Sequence, residues 1–526
     1  MRFFDPACGS GNFLTETYIA IRTLENETIG ALRDLGVQCE VLVSIENFHG
    51  IEINDFAVAV ARTALWIAES QMLKRTASIL DKKLEFLPLK SAAHIECGNA
   101  LTRNWHEIVP DGVDYIISNP PFVGKTFRTK EQQAEMSGVF ADVKGIGNLD
   151  YVACRFGKAA DFMIGTQTRA ALVSTNSICQ GESIGLLWKK LFETIHIDFA
   201  YRTFKWLSDS DDPAAVHCVI VAFSAEPNPK PRIIFDGDRK IIAKNINAYL
   251  LDAPDLIVER RAEPICDVPP MNKGSQPTDG GHLLLSPDER DELLRRDPRA
   301  ERFIRRFVGA EEYINGKARY CLWLVDATDD ELKMPAIAER VEAVREFRLS
   351  SRKAATRAWA TRSHLFTEIR QPTTNYLLVP RVSGERRRYI PIGFMPPNVI
   401  AGDAASVVPN ADLFIFGVME SSVHMAWMRV VAGRLGMSYR YSGRIVYNNF
   451  VWCAHSPAIE RTAQSILDVR SRYPDRSLAS LYDETTMPDD LRAAHAANDR
   501  AVLNAYGFDE SLSEDAIVSR LMQKNC

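Results

Sequence analysis

The sequence predicts an α/β protein in which a largely parallel sheet comes first, followed by a mixed α+β region and a small helical tail. Short apolar runs alternate with helical periodicity over residues 1–225, as in repeated strand–helix–strand units. A polar, proline-bearing stretch at 224–232 ends this pattern, and helical patterns with proline-containing joins follow residue 455. We therefore expect three domains, over residues 1–225, 226–455 and 456–526.

Five short apolar runs are the candidate strands of the first domain, and each ends near a loop that could carry function. They lie at 3–4, 50–53, 115–118, 171–174 and 216–223. Asn54 and Asp55 are typical of the cap of a helix, here over residues 56–72. Residues 1–4 are short for the first strand of such a sheet. We therefore expect this chain to be the C-terminal portion of a longer protein or the product of a shortened gene.

Composition excludes several classes of protein. The 526 residues carry a net charge of −5, so a nucleic-acid surface would have to be a local patch. The cysteines are scattered without a CxxC pair, and we expect reduced thiols and no metal site. No stretch approaches the ~20 apolar residues of a membrane helix, and the N-terminus lacks a signal-peptide pattern. We expect a cytoplasmic protein that neither crosses a membrane nor is secreted.

A glycine-rich loop at residues 5–14 follows the first candidate strand. Gly9 and Gly11 allow a tight turn and a close approach to a ligand, and the helix that follows offers free N–H groups. The loop lacks the Gly-Lys-Ser/Thr of a phosphate loop, and Leu14 stands where a dinucleotide fingerprint needs a third glycine. A nucleoside cofactor fits better than either. The candidate cofactor contacts in this loop are Asp5, Ala7, Cys8, Gly9, Gly11, Asn12 and Phe13.

Two further residues complete the candidate cofactor site. Glu52 ends the second candidate strand, where a carboxylate can accept both hydroxyl hydrogens of a ribose. Asn99 could hydrogen-bond an adenine ring, although a turn-forming Gly-Asn pair explains Gly98 and Asn99 equally well. A glycine-rich turn alone is weak evidence, but Asp-Pro-Ala-Cys-Gly-Ser-Gly closely resembles motif I of amino-methyltransferases that use S-adenosylmethionine (SAM).

The tetrapeptide Asn119, Pro120, Pro121 and Phe122 follows the third candidate strand. An exocyclic adenine amine is a poor nucleophile until two acceptors draw its hydrogens out of the ring plane. The Asn119 side chain and the Pro120 carbonyl can supply these acceptors, and Phe122 can stack on a base rotated out of the duplex. Alone, this tetrapeptide would be a rigid turn. Together with the glycine-rich loop, it predicts transfer of a methyl group to an amine.

At this point the chain resembles the MmeI-like type II restriction-modification enzymes, in which nuclease, adenine methyltransferase and recognition domain share one polypeptide. Besides the loop and the tetrapeptide, the resemblance includes the segments Gly50-Ile51-Glu52-Ile53-Asn54, Leu149-Asp150-Tyr151-Val152, Ser174-Thr175-Asn176-Ser177-Ile178, Ala215-Val216-His217 and Val446-Tyr447-Asn448-Asn449-Phe450. It implies a Rossmann-like class I SAM-dependent methyltransferase domain of the γ order, followed by a target recognition domain. The implied reaction is N6 methylation of adenine in double-stranded DNA, as part of a restriction-modification system.

The resemblance also implies parts that precede this chain in its relatives. These are an N-terminal nuclease and a helical spacer with another cofactor-contacting motif. We therefore expect this chain to lack restriction activity and to bind SAM less tightly than a longer relative.

Two regions of the second half could contact DNA. Six basic residues and one acid lie between Arg345 and Arg362, and of these Arg352, Lys353 and Arg357 are the candidate phosphate contacts, with a solvated helix face as the alternative. A second basic cluster, 386–388, could also neutralise the backbone. The resemblance implies base-specific positions at Gly436, Ser438 and Arg440, and Arg440 could read guanine. A packed turn is the alternative.

Two other functions remain open on the sequence. An Asn-Pro-Pro-aromatic loop can present its acceptors to any planar amine, so RNA or a protein glutamine is a possible substrate. A catalytically impaired DNA-binding fragment is the second alternative, because the cofactor domain is short at its N-terminus.

Overall fold

The computed structural model describes residues 1–81, 93–110, 112–206 and 216–525, so Ala215 of the resemblance lies outside the described residues. The chain divides into two compact units, Met1–Ile257 and Val258–Cys526.

One sheet of nine strands forms the centre of the first unit, in the order β3-β2-β1-β4-β5-β7-β6-β8-β9. Its strands are β1 (Phe3–Asp5), β2 (Phe48–Glu52), β3 (His94–Cys97), β4 (Tyr115–Ser118), β5 (Arg169–Thr175), β6 (His196–Trp206), β7 (Val216–Ser224), β8 (Arg232–Asp236) and β9 (Arg239–Ala243). Strands β1 to β5 run parallel, whereas β7 is antiparallel to both of its neighbours. Strand order reverses between β1 and β4, the place where open α/β sheets bind ligands.

Helices connect these strands. They are α1 (Asn12–Asp34), α2 (Asp55–Leu80), α3 (Trp105–Ile108), α4 (Lys130–Val139), α5 (Ala153–Met163) and α6 (Glu182–Leu191). The helix predicted over 56–72 is therefore α2, and Asn54 caps it by accepting from the N–H groups of Phe56 and Ala57.

The short strand β1 is buried on both faces. Phe3 stacks between Phe48 of β2 and Tyr115 of β4, with ring centroids 4.9 and 5.4 Å apart, and Phe4 packs edge-on against Trp105 at 5.1 Å. Aromatic pairs of this kind add about 0.5–1.5 kcal/mol each beyond their buried area. Two phenylalanines thus fix a three-residue strand at the centre of the sheet.

All five predicted strands are present, but β3, β6, β8 and β9 were missed. Strand β6 mixes buried residues with polar ones such as His196 and Arg202, and it pairs antiparallel with β7 and parallel with β8. Continuous apolar runs mark strands that are buried on both faces, whereas half-buried strands lack them.

The second unit contains three small sheets, with strand orders β10-β18-β14-β16, β11-β13-β12-β17 and β15-β20-β19. Their strands are β10 (Asn272–Lys273), β11 (Leu284–Leu285), β12 (Ile304–Val308), β13 (Tyr320–Leu322), β14 (Tyr376–Pro380), β15 (Val382–Ser383), β16 (Gly393–Met395), β17 (Val399–Ala401), β18 (Ala405–Pro409), β19 (Gly433–Leu435) and β20 (Ser438–Arg440).

The helices of the second unit are more numerous toward its C-terminus. They are α7 (Pro287–Arg296), α8 (Ala310–Asn315), α9 (Asp329–Leu332), α10 (Pro335–Leu349), α11 (Ala354–Ala358), α12 (Leu413–Met419), α13 (Ser422–Val431), α14 (Pro457–Ser471), α15 (Leu478–Leu481), α16 (Asp489–Tyr506) and α17 (Glu514–Asn525). A buried ion pair between Glu420 and Arg470, with a 2.6 Å N–O distance, ties α14 to the end of α12.

Gly9 and Gly11 allow a test of how tightly the glycine-rich loop packs on α2. Gly9 and Gly11 both have positive φ, but a Cβ added at Gly11 would lie 2.9 Å from the Cβ of Ala61, whereas one at Gly9 would meet nothing within 4 Å. We predict that Gly11→Ala destabilises the first unit by about 1–3 kcal/mol more than Gly9→Ala, because overpacking adds to a shared backbone cost. Urea unfolding of the two variants measures the difference. Equal losses would contradict the packing.

Candidate active site and nucleic-acid surface

The glycine-rich loop turns from the end of β1 into α1 and leans on the next strand. The N–H of Cys8 donates to the carbonyl of Ile51 (3.1 Å), and the N–H of Gly11 donates to the carbonyl of Cys8 (2.8 Å). The thiol of Cys8 is buried and points toward the sheet, since a Cβ at Gly50 would lie 3.0 Å from its sulfur. Only the main chain of Cys8 is therefore available to a ligand.

The other loop residues differ in what they present. Ala7 and Phe13 are half-buried, and Asn12 is exposed at the start of α1. The space above Gly9 is open. All of these predicted contacts lie in the loop between β1 and α1 or at the start of α1.

Asp5, at the end of β1, is buried and hydrogen-bonded. Its Oδ1 accepts from the Ser118 hydroxyl (2.6 Å) and from the N–H of Ala7 (2.9 Å). Burial raises the pKa of Asp5 to about 7, and the charge of Glu52 adds to the rise, while the two hydrogen bonds lower the pKa. The Ser118 bond joins β1 to β4 one residue before Asn119.

Glu52 joins the same loop to β2. Its two oxygens accept from the N–H of Gly9 and of Asn54, each at 3.0 Å. Ile53 follows it and is 70% exposed, although it is a large apolar residue directly after a buried strand. The sequence analysis did not single out Ile53, because a strand-end isoleucine has no pattern that distinguishes it from the core.

Asn119 follows β4 with a side-chain oxygen that no group of the described chain satisfies. Its Oδ1 is buried and has no hydrogen-bond partner among the residues that the structure describes. Pro120, the next residue, has no N–H to donate to this oxygen, and its own carbonyl is a second acceptor one residue along the chain. A buried acceptor without a donor costs roughly 1–3 kcal/mol, so this arrangement suits a ligand that brings an N–H group.

Asn99 is held by residues that the sequence analysis did not assign. Its Nδ2 donates to the carboxylate of Glu135 in α4, and its Oδ1 accepts from the N–H of Leu101 (2.9 Å). The Tyr151 hydroxyl donates to the other oxygen of Glu135. Asn99 therefore presents a fixed amide, and Glu135 determines its orientation. Glu135 lies 36 residues from Asn99 on an ordinary polar helix, so no local pattern could have paired them.

In the second unit, the basic residues from Arg345 to Arg362 differ in their exposure and in their partners. Arg348 is fully buried and Arg345 is paired with Glu342. Arg352, Lys353 and Arg357 are exposed, as a surface that contacts phosphates requires. Arg348 therefore lies outside the candidate surface formed by these three residues.

The buried guanidinium of Arg348 holds three chain segments together. It donates five hydrogen bonds of 2.7–3.1 Å to main-chain carbonyls, at Pro277, Thr278, Trp359, Arg362 and Leu365. Five donors in a planar fork match this set of acceptors, and the guanidinium is satisfied without a carboxylate.

The predicted base-reading segment is a tight hairpin. Strands β19 and β20 pair with Leu435 opposite Ser438 and Gly433 opposite Arg440, so these four residues share one face. Arg434 and Tyr439 lie on the other face, where the guanidinium sits 4.0 Å from the ring centroid. Leu435 is 62% exposed and Arg440 is exposed as well.

Gly436 occupies the turn of this hairpin, outside the paired strands. Its φ of +58° is the left-handed conformation that a two-residue hairpin favours at this position. The register therefore places Leu435, which the sequence analysis missed, on the face of Ser438 and Arg440, while Gly436 shapes the turn. Arg386 and Arg387 line a depression together with Ser438, so the second basic cluster lies beside the hairpin.

Two further features bear on ligands. Ligand atoms of Asp412, His455 and Glu460 lie within 4.8 Å of one another, but Asp412 caps α12 and His455 pairs with Glu460. Across the described part of the chain, no helix is both long and apolar enough to traverse a bilayer.

Arg348 in α10 and Arg352 just after its end provide a matched test of the role of the buried guanidinium. We predict that Arg348→Met destabilises the second unit by about 3–5 kcal/mol, because it removes five hydrogen bonds to main-chain carbonyls at a buried position. Arg352→Met, at an exposed position, should change stability by less than about 0.5 kcal/mol. Thermal unfolding of both variants measures this, and equal stability of the two would show that Arg348 is not a structural residue.

Comparison with known proteins agrees with this architecture. Profiles of the MmeI DNA-methyltransferase, target recognition and C-terminal domains match residues 1–236, 252–454 and 453–525. DNA methyltransferase A of Bacillus subtilis (strain 168) is 37% identical over 535 residues, which cover 99% of this chain and 61% of that protein. The chain thus spans about three fifths of the length of this relative.

A solved structure extends the comparison to the whole fold. The type IIL restriction-modification enzyme MmeI, in complex with DNA, is 41% identical to this chain, with a TM-score of 0.89 over 100% of this chain and 73% of that one. A putative type II restriction enzyme and methyltransferase of Methanocaldococcus jannaschii is 31% identical over 103 residues, 19% of this chain and 8% of that protein. The chain belongs to the MmeI family of restriction-modification enzymes and carries its methyltransferase, target recognition and C-terminal domains.

Proposed function

We propose that this chain transfers a methyl group from SAM to the N6 amine of an adenine extruded from double-stranded DNA. The observation that carries the proposal is the buried Oδ1 of Asn119, which has no hydrogen-bond partner among the described residues. Membership in the MmeI family supports it, as does the hydrogen bond from Ser118, the residue before Asn119, to Asp5 at the start of the cofactor loop.

The residues of the loop fit SAM. Open space above Gly9 accepts a ligand against the main chain, and the Glu52 carboxylate, now bonded to two N–H groups, can also accept from ribose hydroxyls. Ile53 offers an exposed apolar side chain to an adenine ring, and Asn99 offers an amide fixed by Glu135. When bound, SAM supplies an electrophilic methyl group.

The chemistry that this chain contributes is the placement of two acceptors. Asn119 Oδ1 and the Pro120 carbonyl each accept one hydrogen of an exocyclic amine, which draws the nitrogen toward a tetrahedral shape and frees its lone pair. Because Oδ1 already lies in a desolvated position, it needs no reorganisation when the amine arrives. Half-buried Phe122 offers a face on which the extruded base stacks.

The second unit would bind and read the DNA. Arg352, Lys353 and Arg357 are exposed cations suited to phosphates. The hairpin face with Ser438 and Arg440 is open for contacts to base edges, and Arg440 can bond guanine through two N–H groups. We propose this hairpin as the sequence-reading element.

The role of Asn119 is tested with labelled SAM offered to DNA, RNA and protein in parallel. We predict label in DNA, recovered as N6-methyladenine after digestion, and a loss of at least about 100-fold in rate for Asn119→Ala with DNA affinity unchanged. Asn228→Ala, in an ordinary loop, is the matched control and should keep the wild-type rate. Labelled protein or RNA with unlabelled DNA would reject the proposal, as would an active Asn119→Ala variant.

The raised pKa of Asp5 makes cofactor affinity depend on pH. Below pH 7 the buried carboxyl is protonated and neutral, whereas above pH 7 its carboxylate attracts the positive charge of SAM. Binding below the pKa must release a proton, so we predict that affinity rises up to about ten-fold from pH 6 to pH 8. Calorimetry measures this, and Asp5→Asn should remove the dependence. A folded chain that shows no heat of SAM binding would favour a DNA-binding role without catalysis.

A further inference from the structure

An exposed aromatic ring lies on the loop that follows the Asn119 to Phe122 tetrapeptide. Phe127 is 83% exposed, more than any other large apolar residue of the described chain. Its N–H donates to the carbonyl of Gly124 (3.0 Å), which closes a turn that ends at the exposed ring. Single exposed apolar residues are common on protein surfaces, so the exposure of this ring does not by itself indicate a binding site.

The loop is anchored on both sides of Phe127. Before it, the N–H of Val123 donates to the Asp150 carboxylate (3.1 Å). After it, the buried guanidinium of Arg128 donates to the carbonyl of Gly147 (2.6 Å). The aromatic ring is thus held out into solvent by a fixed loop, and inserting it into a partner costs little ordering of the chain.

The charge of this loop matches a polyanion. Residues 122–130 contain three cationic side chains and no acidic one. The Lys125 ammonium bonds the neutral side-chain oxygen of Asn148 (2.7 Å), so its charge is not cancelled there, and Lys130 is exposed. An aromatic tip between cations suits nucleic acid, whose phosphates meet the cations while its bases stack on the ring.

We propose that Phe127 inserts into the DNA duplex and fills the space that the extruded adenine leaves. The inference rests on the proposed function, because it requires a base to leave the stack. Apolar side chains that wedge between base steps compensate for lost stacking. In this arrangement Phe122 stacks on the adenine outside the duplex, and Phe127 occupies the place in the base stack that the adenine has left.

The test compares paired duplexes with duplexes that lack the base opposite the target. The recognition sequence is first read from methylated positions in the DNA of an expressing host. Single-turnover methyl transfer is then measured for the wild type, Phe127→Ala, Phe127→Trp and the control Leu35→Ala, which removes a side chain of a residue 77% exposed.

We expect Phe127→Ala to slow transfer about ten-fold on the paired duplex, as loss of one stacking contact predicts, and less than about two-fold on the duplex with the abasic site. Phe127→Trp should stay within about two-fold of the wild type because it retains an aromatic face. Leu35→Ala should match the wild type on both duplexes.

A Phe127→Ala variant that works at the wild-type rate on the paired duplex would overturn the inference. An equal loss on both duplexes would also overturn it, since a general DNA contact does not depend on the opposite base. A wild type that binds SAM but methylates no DNA would instead reject the proposed function itself, and the two failures are therefore distinguishable.

Discussion

The hydrogen bond from the Ser118 hydroxyl to the Asp5 carboxyl, 2.6 Å long and fully buried, links the two strand ends on which the candidate site depends. It lies where strand order reverses, with the cofactor loop on one side and Asn119 on the other. Burying a carboxyl without hydrogen-bond partners costs free energy. This bond and the one from the N–H of Ala7 reduce that cost for Asp5. This contact thus ties the two strand ends together and lowers the pKa of Asp5, which burial raises.

The remaining polar groups of the site differ in whether another protein group satisfies them. Main-chain donors hold the carboxylate of Glu52, and Glu135 holds the amide of Asn99. By contrast, the oxygen of Asn119 is left without a donor by any residue that the structure describes. A folded protein tolerates such an orphan acceptor where it serves a ligand, and here the orphan lies at the carboxyl end of a parallel strand.

Much of the first unit could be predicted from the sequence, because β1, β2, β4 and β5 are buried on both faces and read as apolar runs. The glycine-rich loop and the tetrapeptide are each continuous in the sequence, so their residue types were sufficient to predict a cofactor loop and a catalytic loop. Contacts over long separations could not be predicted. The pairing of Glu135 with Asn99 and the burial of Arg348 depend on which elements pack together. Leu435 was missed because only strand register places it with Arg440.

The central claim concerns where an amine would sit relative to two acceptors. A crystal structure of the chain with its cognate duplex and a non-reactive SAM analogue tests it most directly. The account predicts an extruded adenine whose N6 lies about 3 Å from both Asn119 Oδ1 and the Pro120 carbonyl, the distance of an N–H···O hydrogen bond. An adenine bound elsewhere, or one whose N6 meets neither oxygen, would contradict it.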